Sequence, residues 1–270
     1  MSEGMVPAAF NRQLNRRNKM AGMNLSVKND GLGFGKNILD IEVPKPLRKK
    51  IKSGVDFIDA AYGGQGFTPS AVTLFTGTPG SGKTTMMLTL ADKLTKSGAV
   101  VVFNTAEESL FQVKLVAERL KLTHGFVCGQ ETHVPTLLEN CEKVMAKNPG
   151  KPFFLIVDSL QCLNDGKYGM NTNSKTAGRC LSMITDFCKL NYCNSIVIGQ
   201  VNKSGQMAGS NVLKHMVDSM MELSVEESDP DLRGCRVLRM TKNRFGGSGG
   251  TFFLNLNNKG FREVARVSAA

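Results

Sequence analysis

An α/β fold, with a mainly parallel twisted sheet flanked by helices and a C-terminal antiparallel extension, is predicted by three observations. Apolar runs of strand length alternate with stretches of helical periodicity from about residue 72 to residue 200. The central runs are near-continuous in apolar residues, as strands buried on both faces are. Beyond residue 235 the pattern changes to alternation, in Arg236 to Thr241 and again in Gly250 to Leu256, around a basic turn.

The chain is organised around Val72 to Leu90, VTLFTGTPGSGKTTMMLTL. Val72 to Thr76 is apolar and β-branched or aromatic, a buried strand that stops at Gly77. Gly77-Thr78-Pro79-Gly80-Ser81-Gly82-Lys83-Thr84 then fits G-x-x-x-x-G-K-[ST], and Met86 to Leu94 continues with helical spacing. A loop whose backbone N–H groups point at phosphate oxygens needs glycine, because side chains would block the approach. Gly77, Gly80 and Gly82 meet that need, with Pro79, Ser81 and Thr85 completing the predicted ATP-binding stretch. Lys83 supplies positive charge to the β- and γ-phosphates, and Thr84 offers a hydroxyl to Mg²⁺. The helix after the loop directs its positive end at the nucleotide.

At 270 residues the chain holds material for one large domain, here expected over residues 46–263, with a basic extension over 1–45 and a short tail over 264–270. The net charge is +11, and the first fifty residues carry ten Lys or Arg against four acids. Arg12, Arg16, Arg17 and Lys19 suit a phosphate-contacting arm and equally a solvated segment. The seven cysteines include no C-x-x-C pair, so small buried thiols are expected rather than zinc ligands or disulfides. With no secretory signal or long apolar span, a reduced cytoplasmic setting without a membrane partner is expected.

In order along the chain, a short strand near Ile51 precedes a helix from Val55 with Ile58 and Ala61 inward, then a loop from Gly63 to Ser70. A second strand, Ala99 to Asn104, leads to Thr105-Ala106-Glu107-Glu108-Ser109. A carboxylate just past a parallel strand lies where nucleotides bind, so Glu107 is a candidate to orient or deprotonate an attacking water. Both glutamates also suit the start of a helix. Leu110 to Leu122 is amphipathic, with Leu110, Val113, Leu115, Val116 and Leu120 expected toward the core. Phe126 to Cys128 is a short strand, and Val134 to Lys147 a helix. Phe153 to Asp158 is a strong central strand ending in an acid, the pattern that places Asp158 opposite Thr84 as a Mg²⁺ ligand.

Cys162 to Lys175 is polar and rich in Gly and Asn; Ala177 to Leu190 is helical; Ser195 to Gln200 is a buried strand ending in an amide. Gln200 stands where it can sense a γ-phosphate, or is a plain polar strand end. Lys203 to Asn211 is a second irregular stretch, suited to a nucleic-acid backbone or to a surface loop, before an apolar segment from Val212 to Leu223. Phe261 to Ala270 is expected as a tail.

Taken together these motifs resemble the RecA superfamily of ATPases, and most closely the ATPase core of the bacterial RadA/Sms recombination proteins. The likeness is carried by the phosphate loop, NTAEESLFQVKLVAERL (Asn104 to Leu120), IVDSLQCL (Ile156 to Leu163), VNKSGQMAGSNVLKHMVDSM (Val201 to Met220) and KNRFG (Lys242 to Gly246). The resemblance implies a RecA-like P-loop core over about Lys49 to Phe261. In it Glu107 is the catalytic carboxylate, Asp158 the Walker B acid and Gln200 the γ-phosphate sensor. Lys242 and Arg244 are implied to reach into a neighbouring subunit's site; such a finger is worth roughly 10³ to 10⁵ in rate where measured. A homo-oligomer, as a hexameric ring or a helical filament, with ATP at subunit interfaces is implied too. The sequence departs from the family in lacking the four-cysteine module and the Lon-protease-like domain, which makes it look like a stripped core. It also carries Gln200 where RadA/Sms members usually have His and recombinases have Gln.

The leading expectation is therefore a DNA-dependent ATPase of recombination or repair that clamps single-stranded or branched DNA. Lys167, Lys175, Arg179, Lys203 and Lys214 are the candidate phosphate contacts, as cations on flexible loops. A KaiC-like regulatory ATPase with protein partners, and a P-loop kinase acting on a small molecule, are the alternatives.

Overall fold

A computed structural model of the chain describes residues 35–167, 174–201, 210–247 and 250–267. Strands β1 (Val72–Gly77), β2 (Val100–Thr105), β3 (Val127–Gly129), β4 (Phe153–Asp158), β5 (Asn194–Gln200) and β6 (Ser219–Val225) form the parallel part of the sheet. Three antiparallel strands follow: β7 (Arg236–Asn243), β8 (Thr251–Asn257) and β9 (Gly260–Val267). The order across the nine strands is β9-β8-β7-β6-β1-β5-β4-β2-β3. The predicted α/β class with an antiparallel extension is what the chain adopts.

Helices α1 (Asp56–Ala61), α2 (Lys83–Lys96), α3 (Leu110–Arg119), α4 (Val134–Ala146), α5 (Ser174–Asn191) and α6 (Ser210–Met216) cover the sheet. Alternate strand residues face opposite sides, which makes two cores and three layers. Phe75, Phe154, Ile156 and Ile198 pack with Met87, Leu90 and Leu94 of α2 on one face. Leu74, Leu155, Val157 and Val197 pack with Leu137 of α4 and Leu181 and Ile184 of α5 on the other. The strand β1 lies at the centre of this order, between β5 and β6, so the loop that leaves it sits in the middle of the sheet's carboxyl edge.

Several expectations are corrected. Ile51 forms a single antiparallel bridge with Phe67 rather than a strand. Leu110 and Leu115 are 39% and 65% exposed, because the buried stripe of α3 is Val113, Val116 and Leu120, at spacings of three and four. The segment from Val212 to Leu223 divides into the end of α6 and the start of β6. Phe261–Val267 is not a tail but strand β9, paired along β8. Of the seven thiols, Cys141, Cys180, Cys188 and Cys193 are buried, whereas Cys128 is exposed on β3. Burial pushes Cys141 and Cys180 up to about 12, so both stay protonated, small and apolar.

Candidate nucleotide site

The loop after β1 is shaped by contacts that exclude side chains. A Cβ on Gly77 would run into the Leu223 carbonyl oxygen, so glycine is required where β1 lies beside β6. Gly82 holds φ +102° as the residue before α2, and a Cβ there would meet Phe261 Cζ at 2.8 Å and Leu256 Cδ2 at 2.9 Å. The hairpin of β8 and β9 thus closes against the phosphate loop. No side chain caps the start of α2, which leaves its first N–H groups directed at the loop. Ser81, fully buried, has an Oγ without a hydrogen-bond partner. Free helix N–H groups and an orphaned hydroxyl fit a phosphate chain.

The Lys83 ammonium donates to the Gly77 and Thr78 carbonyls at 2.8 and 2.9 Å. Desolvation lowers its pKa, opposed by Asp158 and Glu107. Thr84 Oγ1 donates to Asp158 Oδ2 at 2.6 Å, joining the helix start to the end of β4. Desolvation raises the Asp158 carboxyl and the charges of Glu107 and Glu108 add to this, against the Thr84 bond and Lys83. A hydroxyl beside a buried carboxylate is a hard oxygen pair of the kind Mg²⁺ takes together with nucleotide phosphates. Among the described residues there is no group of three or more His, Cys, Asp or Glu fit to hold a metal. Thr85 Oγ1 accepts from Arg119 Nη2 at 3.4 Å, and Pro79 and Gly80 are exposed at the loop's crest.

Beside this pair, Gln200 Nε2 donates to Glu107 Oε1 at 2.5 Å, so the two polar ends of β5 and the β2 turn meet. Glu107 does not start α3. The helix begins at Leu110 behind a capping box of Ser109 and Gln112, and Thr105 Oγ1 bonds both the N–H and the carbonyl of Glu108. That turn lifts Glu107 into solvent. Gln161, to which the sequence reading assigned no role, exchanges two hydrogen bonds with the Gln200 backbone at 3.2 and 3.3 Å. It sits within the IVDSLQCL stretch, one turn after Asp158, where a polar residue beside a strand end was its only signal.

Lys242 and Arg244 lie at the other edge of the sheet. Gly77 pairs with Leu223, whereas Lys242 pairs with Met220 and Asn243 with Ser219. Three strand positions of about 3.3 Å and two strand spacings of about 4.8 Å put the Lys242 backbone roughly 14 Å from Gly77, on the side away from the loop. Lys242 Nζ donates to the Lys214 and Val217 carbonyls, each at 2.7 Å, and Arg244 Nη2 donates to the His215 carbonyl at 3.2 Å.

The candidate DNA contacts are not brought into one patch. Lys167 and Lys175 lie on the carboxyl-edge side, before and at the start of α5, whereas Lys214 lies near the end of α6, close to Lys242. Arg179 is not on a loop: it sits within α5 and holds Asp165 through Nε at 2.5 Å and Nη2 at 3.1 Å. Lys203 falls outside the described residues, as do Arg12, Arg16, Arg17 and Lys19.

A phosphate loop, a strand-end acid joined to its threonine and a second carboxylate joined to a strand-end amide, all on the carboxyl edge of this sheet, define a RecA-like P-loop ATPase. The known proteins most like it agree. A family model for the CobW/HypB/UreG nucleotide-binding domain matches residues 71–163, the stretch from β1 past Asp158. The DNA repair protein RadA of Aquifex aeolicus is 31% identical over 227 residues, covering 83% of this chain and 48% of that protein. RadA of Mycobacterium tuberculosis is 32% identical over 211 residues, covering 76% and 42%. The chain is thus homologous to RadA over most of its own length and spans about half the length of those relatives. Its fold is that of a solved, free-standing ATPase domain, with TM-score 0.70 at 13% identity and coverage of 98% of this chain and 100% of that one. A DnaB-like replicative helicase gives TM-score 0.69 at 14% identity, covering 96% of this chain and 67% of that one. Among the described residues no helix is long and apolar enough to cross a membrane.

Proposed function

We propose that this protein is a DNA-dependent ATPase of recombination or repair that works as an oligomer with ATP bridging its subunits. The observation that carries the reading is the separation of the site's parts. Lys83, Thr84, Asp158, Glu107 and Gln200 gather at the carboxyl edge of the sheet, while Lys242 and Arg244 stand at the amino edge beyond reach of the same phosphates. Two cations so placed complete a neighbour's site in a head-to-tail assembly, which closes as a ring or extends as a filament. The apolar flank of α3 supports this: Leu110, Phe111 and Leu115 are 39%, 83% and 65% exposed, directly after Glu107.

In this reading the N-terminal end of α2 and Lys83 bind the phosphates, and Thr84 with Asp158 holds Mg²⁺, which neutralises charge between the β- and γ-phosphates when bound. Glu107 takes the proton of the attacking water. Gln200, donating to Glu107, ties that carboxylate to the chain that continues toward α6, so phosphate and DNA occupancy act on one hydrogen bond. The RadA homology supports recombination and repair as the setting, and the net charge of +11 supports a polyanionic partner.

The test is steady-state ATP turnover with and without single-stranded DNA at low salt, alongside direct DNA binding. Stimulation by DNA is expected, falling as salt rises. Equal turnover in both conditions, with no binding, refutes the DNA-dependent reading. Subunit sharing is tested separately by mixing Lys83→Ala with Arg244→Ala protein. Each is inactive alone, and turnover returns on mixing if sites are shared; silence in the mixture refutes the shared site and favours the self-contained kinase.

A further inference from the structure

Asp218 stands at the start of β6, its side chain 4% exposed, and no motif reading assigned it a role. Its Oδ2 accepts from the Val72 backbone N–H at 3.0 Å and from Lys189 Nζ at 2.6 Å. Its Oδ1 faces Arg244 Nη1 at 3.7 Å, and its backbone carbonyl accepts the Arg244 N–H at 3.0 Å. Arg244 is therefore held to Asp218 by both backbone and side chain, while its other guanidinium nitrogen bonds the His215 carbonyl at 3.2 Å. The Arg244 side chain is still 51% exposed, anchored on one side and open to solvent on the other. Lys189 also lies 5.7 Å from the Phe245 ring centroid, pinning the next residue of the turn.

A guanidinium on a solvated turn samples many rotamers, and each must be given up when it meets a phosphate. A buried carboxylate at its root, with His215 fixing the plane, removes that freedom in advance. We propose that Asp218 is the positioning residue of Arg244, holding it in the orientation in which it meets the neighbouring subunit's nucleotide. This rests on the shared-site reading above. Asp218 touches no nucleotide of its own chain, since it lies at the amino edge with Val72, at the opposite end of β1 from Gly77.

A purely structural Asp218, bracing β1 against β6, predicts something different, and mixed oligomers separate the two. In the mixture of Lys83→Ala and Arg244→Ala subunits, the active interface takes its finger from the Lys83→Ala subunit and its phosphate loop from the Arg244→Ala subunit. Asp218→Asn is placed on one partner at a time. On the finger donor it is expected to cut the recovered turnover about tenfold or more, through the loss of a charged anchor. On the Arg244→Ala subunit, where there is no finger to orient, recovery is expected to stay within about twofold. Equal losses in the two arms, or a larger loss in the second, overturn the assignment. Should Asp218→Asn melt below the assay temperature, Asp218→Ser, which keeps an acceptor for the Val72 N–H, repeats both arms. If the parent mixture itself shows no recovery, it is the shared-site reading that fails.

Discussion

Replacing Gly82 by alanine tests whether the terminal hairpin closes on the phosphate loop. The added Cβ meets Phe261 Cζ at 2.8 Å and Leu256 Cδ2 at 2.9 Å, and the residue sits at φ +102°. The backbone conformation costs about 1–2 kcal/mol for a residue with a Cβ, and the overpacking about 1–3 kcal/mol more. Only the second part involves Phe261. A double-mutant cycle of Gly82→Ala with Phe261→Ala, followed by urea denaturation and by binding of a fluorescent ATP analogue, should therefore show a favourable coupling of about 1–3 kcal/mol. The double variant should also regain roughly five- to a hundredfold of the nucleotide affinity that Gly82→Ala loses, if the clash displaces the loop. Additivity within about 0.5 kcal/mol would show that Phe261 does not press on Gly82.

Three further outcomes follow from local geometry. Asp92, buried on α2, accepts the backbone N–H groups of Thr123, His124 and Gly125 at 3.0, 2.7 and 3.2 Å. Desolvation raises its carboxyl, but those bonds and the His124 ring outweigh it and leave the pKa lowered. A lowered folded-state pKa stabilises above the ordinary value near 3.9 and is lost as pH falls through the folded one. Asp92→Asn should therefore destabilise by about 1–2 kcal/mol at pH 7, with the gap to the parent narrowing below about pH 4 in denaturation midpoints. Gln161→Ala removes both bonds to the Gln200 backbone and should lower turnover about tenfold, while nucleotide affinity stays within about threefold; an unchanged turnover would refute its role. Phe111→Ser with Leu115→Ser should weaken ATP-dependent assembly in sedimentation velocity yet leave the monomer's melting temperature within about 2 °C, since both side chains are already in solvent.

Legibility in the sequence followed the physics of each element. Strands β1, β2, β4 and β5 were readable because burial on both faces demands unbroken apolar runs, and Asp158 because a charge ending such a run is conspicuous. The strand β9 was not readable. Along Arg262, Glu263, Val264, Ala265 and Arg266 most side chains are solvated, so no apolar alternation marks the strand, and it is the pairing with β8 that makes it one. The α3 stripe was misassigned because leucines at 110 and 115 suit a helix face as well as Val113 and Val116 do, and only the position of the sheet decides. Asp218 was invisible for a related reason: its partners Val72, Lys189 and Arg244 come from three distant stretches, and no local pattern announces their meeting.

The antiparallel extension then acquires a physical role that its hairpin pattern alone does not convey. Strand β7 runs from Arg236, opposite Val225 near the carboxyl edge, to Asn243, opposite Ser219 at the amino edge, about 24 Å of strand. Its far end carries Lys242 and Arg244. Through β8, paired at Arg236 with Leu254, the same sheet returns to the carboxyl edge and delivers Leu256 and Phe261 onto Gly82. One continuous hydrogen-bonded unit therefore spans from this chain's phosphate loop to the cations proposed to serve its neighbour. Packed sheets shift as units rather than deform by degrees. In a head-to-tail assembly, movement of Gly82 on nucleotide binding would thus be felt at Arg244 without any change in Asp218's hold on it. Communication between successive sites then needs no separate lever, because the strand that braces one loop also carries the next site's charges.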